Sequence, residues 1–261
     1  MASNASTSRQ RQQKIRQLLE KNGEVKTAEL TRLFGVTEMT VRRDLRELFE
    51  EGAARPVYGG AMSAQRITLE LNFDERRRCN LAEKRRIGAA AADMVKEGDT
   101  VFLDTGTTTL ETAKALASRD CPCQVITASL AVASELWGSR SVRVSLLGGE
   151  VREKSPDLVG PIAEWILEKL SARLAILGSE GIDPSRGSFA ADMATARIAQ
   201  RMAANAGKVV VVADHTKIAR NGAAMYAPVS EIDAIITTSR APKAAVAALR
   251  QGGVQVIMVQ E

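Results

Sequence analysis

The chain has 261 residues, is 45% apolar and carries a formal net charge of +5, with 15 Lys/Arg against 11 Asp/Glu in residues 1–78 and 21 against 20 thereafter. That length suits a small domain followed by a larger one, and a basic front end is a weak pointer to nucleic acid. No apolar run nears the ~20 residues that cross a bilayer, and MASNASTSRQRQQK lacks the apolar stretch of a signal peptide, so a cytoplasmic protein without membrane contact is expected.

Residues 1–8 are small and polar and predict a disordered tail. From Arg9, Ile15, Leu18 and Leu19 recur at helical spacing up to Gly23. Thr27 is placed to cap a second helix bearing Ala28, Leu30, Leu33 and Phe34, closed at Gly35. Thr37 caps a third, TEMTVRRDLRELFEEG, with Met39, Val41, Leu45, Leu48 and Phe49 facing inward and Gly52 at its end. AARPVYGGAM follows, with Pro56 and a Gly59-Gly60 turn, and suits a β-wing. Residues 9–62 therefore read as an all-α, winged helix-turn-helix domain. Residues 63–80 are polar and arginine-rich and read as a partly helical linker. From 81 to 261, strand-like runs such as TVFLD, QVITAS, VRVSLL, RLAILG, KVVVVAD, IDAIITT and VQVIMV alternate with helical ones. That alternation predicts an α/β domain with a mainly parallel sheet covered on both faces.

In a helix-turn-helix the first two turns of the third helix meet base edges and phosphates. Thr37, Glu38, Thr40, Arg42 and Arg43 occupy those turns, and Arg55 and Tyr58 on the wing can reach an adjacent phosphate or minor groove. The plainer alternative is a solvated face in which the arginines pair with Glu47, Glu50 and Glu51. Double-stranded operator DNA is the expected partner, and two half-sites imply a homodimer or homotetramer.

Asp104, Thr105, Gly106, Thr107 and Thr108 follow an apolar strand and open a helix, where free amides and the helix dipole favour an anion. The alternative is a polar turn whose hydroxyls merely cap the helix. At the same sheet edge, Thr127 and Ser129, Gly148, Gly149 and Arg152, and Asp214 and Lys217 should complete a pocket. Arg152 and Lys217 are the cationic candidates there; Asp104 and Asp214 can accept from sugar hydroxyls. A small anionic, sugar-like effector is the expected ligand. His215, alone of its kind, is expected to be a packed or hydrogen-bonded loop residue, and Trp137 and Trp165 are expected in the core. Cys121 and Cys123 flank Pro122 at a zinc-unlike spacing, so no metal and no cofactor is expected.

Taken in order, RQQKIRQLL, TEMTVRRDLREL, RPVYGGA, EKRRIG, FLDTGTTT, VITASL, LLGGEVR, LGSEGID and VVADHTK resemble the deoxyribose-operon-repressor (DeoR) family from Arg9 to the end of the chain. RLAILGSEGID and ADHTK look most similar to the glycerol-phosphate-regulon and sulfosugar-regulator branches. The resemblance implies a ribose-5-phosphate-isomerase-like effector domain, sugar-phosphate ligands and a repressor of a carbohydrate-utilisation operon. It also marks Lys84 as a structural or pocket-rim position. Ala128, Arg173, Thr195 and Thr238 depart from the family pattern and are expected to alter hydrogen bonding and charge around the pocket or a subunit interface. A competing reading is a sugar-phosphate isomerase with an accessory DNA-binding module, for which Asp104 or Asp214 would be the base. The regulator reading, a non-enzyme, is preferred because the DNA-reading helix is intact.

Overall fold

The structure is a computed structural model that describes residues 7–260 apart from 23, 52, 58, 64–72 and 154. The chain divides into two compact units, residues 1–71 and 72–261.

In the first unit, helices α1 (Ser8–Asn22), α2 (Thr27–Phe34) and α3 (Glu38–Glu50) alternate with β1 (Glu24–Lys26), and the wing strands β2 (Ala54–Val57) and β3 (Gly60–Ser63) follow. Ile15, Leu19, Val25, Leu30, Val41, Leu45, Leu48, Ala54 and Ala61 form its core. The sheet order is β1-β3-β2, antiparallel throughout, so the wing carries a third strand that the sequence pattern did not show. β1 passes so close to β3 that a Cβ on Gly60 would lie 2.0 Å from Val25 O, which leaves room only for glycine. Buried Asp44 of α3 pairs with Arg11 of α1 at 2.7 Å and fixes the two helices together. Gly35 closes α2 in the left-handed region, and Thr37 caps α3 by accepting from Thr40 N.

Three expectations here need correction or fall away. Thr27 is the first residue of α2 and Lys26 holds the cap position without a side-chain bond. Met39 is 81% exposed, because it lies two residues, about 200°, around the helix from buried Val41. Ser8, placed in a tail, opens α1; residues 1–6, Gly23 and Gly52 lie outside the described residues.

The second unit opens with α4 (Phe73–Arg78) and α5 (Leu81–Ala92), which the expected linker partly included. There follow β4 (Thr100–Leu103), α6 (Thr107–Ala117), β5 (Cys123–Thr127), α7 (Leu130–Leu136), β6 (Val142–Leu146), the hairpin β7 (Glu150–Val151) and β8 (Leu158–Val159), and α8 (Pro161–Leu167). β9 (Leu174–Gly178), β10 (Gly181–Asp183), β11 (Gly187–Ala190), α9 (Met193–Ala204), β12 (Val209–Val212), β13 (Ala224–Pro228), β14 (Ala234–Thr238), α10 (Lys243–Gln251) and β15 (Gln255–Val259) complete it. The main sheet has seven strands in the order β15-β14-β12-β9-β4-β5-β6, and every pairing is parallel. Its strands are the seven apolar runs of the sequence.

Side chains alternate between two cores with the period of two that a strand imposes. Val101 and Leu103 of β4 join Ile87, Leu116, Val132 and Leu136 under α5, α6 and α7. Phe102, between them, joins Leu167, Ile198, Met202 and Leu249 under α8, α9 and α10. A smaller antiparallel sheet, β10-β11-β13, was not legible as such. Trp137 and Trp165, expected in the core, are instead 84% and 63% exposed. Trp137 follows the last turn of α7 in extended conformation, and Trp165 sits on the side of α8 away from buried Ala163 and Leu167.

Candidate functional site

Thr37, Glu38, Thr40, Arg42 and Arg43 come together at the amino end of α3, and Glu38, Arg42 and Arg43 are exposed. The Thr37 and Thr40 hydroxyls lie 2.9 Å apart. Arg42 pairs with Glu38 at 2.6 Å, and Arg43 approaches Glu47 at 3.8 Å. Such exposed i, i+4 pairs are weak and exchange readily for a stronger anion. Met39, Arg42, Arg43 and Arg46 share one exposed face at helical spacing, so the sequence reading missed Met39 as part of it. Arg55 lies in β2; its side chain, like the whole of Tyr58, is outside the described residues.

The parallel sheet brings the carboxyl ends of its strands, and hence the predicted sensing loops, to one edge of the second unit. Gly106, at φ 126°, turns the chain from β4 into α6, a conformation that side chains rarely adopt. Thr105, Thr107 and Thr108 are nearly buried around it. Thr109, by contrast, donates its hydroxyl to Gly106 O at 2.9 Å. Asp104 is 3% exposed, and its Oδ2 accepts from Gly178 N at 3.0 Å. Burial pushes its carboxyl up to about 7, against the amide bonds from Thr105 and Gly178 and with a further push from the Asp157 charge.

Thr127 and Ser129 are fully buried and bind locally: Thr127 Oγ1 accepts from Ser129 N at 3.0 Å, and Ser129 Oγ caps α7 by accepting from Val132 N at 3.3 Å. Gly148 and Gly149 form the half-buried turn between β6 and β7. Arg152 reaches Asp157 at 3.3 Å and also pairs with Asp192. Asp214 caps the turn His215–Lys217, accepting from Thr216 N at 3.0 Å. Burial works to raise its carboxyl, but the Thr216 bonds and the Lys84 and Lys217 charges together hold it below the usual range. Lys217 Nζ meets Glu180 at 2.6 Å. Both predicted cations are thus already paired with carboxylates.

Several residues of this edge carried no local signal in the sequence. Lys84 is buried and donates to Arg76 O at 2.6 Å; burial pulls its ammonium below the ordinary lysine range. Arg76 pairs with Glu180 at 2.7 Å, across 104 residues of sequence. Asp157 is 2% exposed, and burial raises its carboxyl in spite of Ser155 and Arg152. Glu83 of α5 gathers His215 Nδ1 at 2.7 Å, the Thr238 hydroxyl at 3.0 Å and Arg240 at 2.9 Å, so His215 is a hydrogen-bonded loop residue as the sequence suggested.

The departures from the family pattern separate. Thr195 donates to Asp192, and Thr238 donates to Glu83, so both act on this edge. Ala128 is buried, and its carbonyl accepts from Leu158 N at 2.7 Å. Arg173, expected near the pocket or an interface, immediately precedes β9 at the amino edge, away from the sensing loops, and pairs with Asp99. A polar groove of about 530 Å³ at that amino edge is lined by Gly98, Thr100, Gln124, Arg140 and Arg143, without the buried charges of the carboxyl edge.

A winged helix-turn-helix with an exposed basic helix face, joined to an α/β unit that gathers buried charge at one sheet edge, is the build of a ligand-responsive DNA-binding regulator. Residues 11–66 match the DeoR-like helix-turn-helix domain, and residues 79–239 match the DeoR C-terminal sensor domain. An HTH-type transcriptional regulator of Bacillus subtilis, itself uncharacterized, is 34% identical over 96% of this chain and 96% of its own. The putative aga operon transcriptional repressor of Escherichia coli is 32% identical over 97% and 94%, and the glycerol-3-phosphate regulon repressor of Escherichia coli is 30% identical over 89% and 92%. The chain therefore belongs to the DeoR family of transcriptional regulators. Among solved structures, ribose 5-phosphate isomerase A from Methanocaldococcus jannaschii aligns over 53% of this chain and 54% of its own, with 16% identity and a TM-score of 0.40.

Proposed function

We propose that the protein represses a carbohydrate-utilisation operon and is controlled by a small phosphorylated sugar or related anionic effector. The observation that carries this reading is the pairing, in one chain, of the exposed Thr37–Arg43 end of α3 with the α6 amino terminus and its buried charged surroundings. On the DNA side, Arg42 and Arg43 can leave their glutamates for guanine or phosphate, Thr37 and Thr40 can contact phosphate, and Arg55 and Tyr58 would extend the contact from the wing. Met39 supplies an apolar contact suited to a thymine methyl.

On the sensing side, the amides and hydroxyls of Thr105, Gly106, Thr107 and Thr108 would cradle the phosphate, where the helix dipole favours it. Lys217 and Arg152 would turn from Glu180 and Asp192 towards the new anion. Gly148 and Gly149 would admit the ligand between β6 and β7, Thr127 and Ser129 would hold the neighbouring loop, and Asp104 and Asp214 would take sugar hydroxyls. Because the cations are already paired, binding must exchange ion pairs, and that exchange gives the effector a differential affinity for two arrangements of the edge. A homodimer or homotetramer in the cytoplasm, acting on paired half-sites and not as an enzyme, completes the proposal. The isomerase alternative draws on Asp104, whose carboxyl near 7 would suit a general base; ribose 5-phosphate turnover is expected to be undetectable.

The test is separation of function in the purified full chain. Arg43→Ala should weaken specific DNA binding in gel shifts while keeping its thermal stabilisation by a sugar phosphate. Lys217→Ala or Thr107→Val should do the opposite, and a reversed pattern would overturn the assignment of roles.

A further inference from the structure

Glu180, between β9 and β10, holds two cations at once, one on each carboxylate oxygen: Arg76 donates to Oε1 at 2.7 Å and Lys217 Nζ donates to Oε2 at 2.6 Å. The side chains of Arg76, Glu180 and Lys217 are 21%, 12% and 18% exposed, so solvent and salt screen the two pairs far less than they screen the ion pairs on α3. One of the two cations is an effector ligand in the reading above. The other belongs to α4.

α4 has six residues, too few to hold a helix by themselves, so its order and position come from its tertiary anchors. Phe73 is buried. The Arg76 side chain reaches Glu180 and approaches Ser155 Oγ at 3.5 Å, and buried Lys84 of α5 donates to the Arg76 carbonyl at 2.6 Å. Side chain and backbone of this one residue are thus both held by the sensing edge. α4 is also the first element after the division between the two units, which falls between residues 71 and 72.

A carboxylate shared by two cations binds each less tightly than it would bind either alone, because the cations repel one another. An anion that draws Lys217 away therefore strengthens the Arg76–Glu180 pair. Conversely Arg76, by neutralising Glu180, makes Lys217 easier to draw away. The two effects are one coupling seen from its two ends.

We propose that the Arg76–Glu180–Lys217 relay carries effector occupancy to α4: an anion taken up by Lys217 tightens α4 on the sensing edge, and so changes how the chain is held where it enters the second unit. Arg76 and Glu180 are positioning residues, acting through Lys217 and α4. The inference rests on Lys217 as an effector ligand and adds the path by which occupancy leaves the site.

Two measurements on the full chain test it: hydrogen exchange of the α4 amides, and operator titration by anisotropy with glycerol 3-phosphate, ribose 5-phosphate and glucose 6-phosphate as probes. Lys217→Met removes the competing cation and should slow α4 exchange about threefold or more with no ligand present, whereas loss of a merely structural lysine would speed it. Glu180→Gln frees both cations: α4 exchange should quicken, and the probe that most stabilises the parent should bind severalfold more tightly. Its operator Kd should nevertheless change by less than about twofold with that probe, the coupling being cut. Arg76→Gln should quicken α4 exchange, weaken the probe severalfold and lose the operator response, while Arg76→Lys, which keeps the charge, should recover part of it. Unchanged or faster α4 exchange in Lys217→Met, or a parent-sized operator response in Glu180→Gln, would overturn the relay and leave the repressor reading standing. A parent chain whose operator affinity no probe alters would contradict the repressor reading instead, and α4 exchange in Lys217→Met would still decide the relay.

Discussion

Replacing Asp104 by asparagine isolates the cost of holding a carboxylate in the buried sensing edge. Asp104 titrates near 7 in the folded chain against an ordinary value of 3.8, chiefly through burial. The folded state therefore keeps a proton that the unfolded chain releases, and stability falls as pH rises from about 4 to about 7, with no further loss above. Each pH step across that window costs ~1.4 kcal/mol, so the two steps from about pH 5 to about 7 are worth about 3 kcal/mol. Asp104→Asn does not titrate, keeps an oxygen to accept from Gly178 N and places an NH2 where Oδ1 is unmet. Urea denaturation followed by circular dichroism at about pH 5 and about pH 8 should show the variant's advantage over the parent growing by about 3 kcal/mol. A gap that stays constant with pH would refute the buried, protonatable carboxyl.

Arg43→Ala should weaken operator binding by about 1–3 kcal/mol in fluorescence anisotropy and relax preference at one base position, since the side chain is exposed and its ion pair with Glu47, at 3.8 Å, is a long one. Gly60→Ala should destabilise the wing by about 1–3 kcal/mol, because its Cβ would collide with Val25 O; DNA binding should fall while the stability of the second unit is unchanged in limited proteolysis. Arg173→Ala should leave effector affinity by isothermal titration unaltered, since its partner Asp99 is at the amino edge of the sheet; a changed affinity would return Arg173 to the site.

What the sequence revealed was whatever local pattern dictates. The seven strands of the main sheet, the Thr37 cap and the Gly35 turn follow from periodicity and from single-residue geometry. Met39 was misread because an apolar residue on a short helix was assigned to the apolar face without following the 100° step, which puts it with Arg42 and Arg43. Trp165 fails in the same way, two residues from buried Ala163 on α8. Arg76 and Glu180 could not be read at all, since their partners lie far along the chain: Arg76 finds Ser155 and Glu180 at separations of 79 and 104 residues, and Glu180 finds Lys217 at 37. Conversely, Arg152 and Lys217 were legible as cations at the right edge, but the carboxylates that already hold them were not.

The central claim is tested most directly by operator titration. The purified full chain would select fragments from its own genome, and anisotropy would follow the best fragment with and without the sugar phosphate that most raises the melting temperature. Sequence-specific binding whose Kd shifts by about tenfold or more with that ligand is expected. Binding indifferent to DNA sequence, or specific binding that no ligand of the second unit alters, would contradict it.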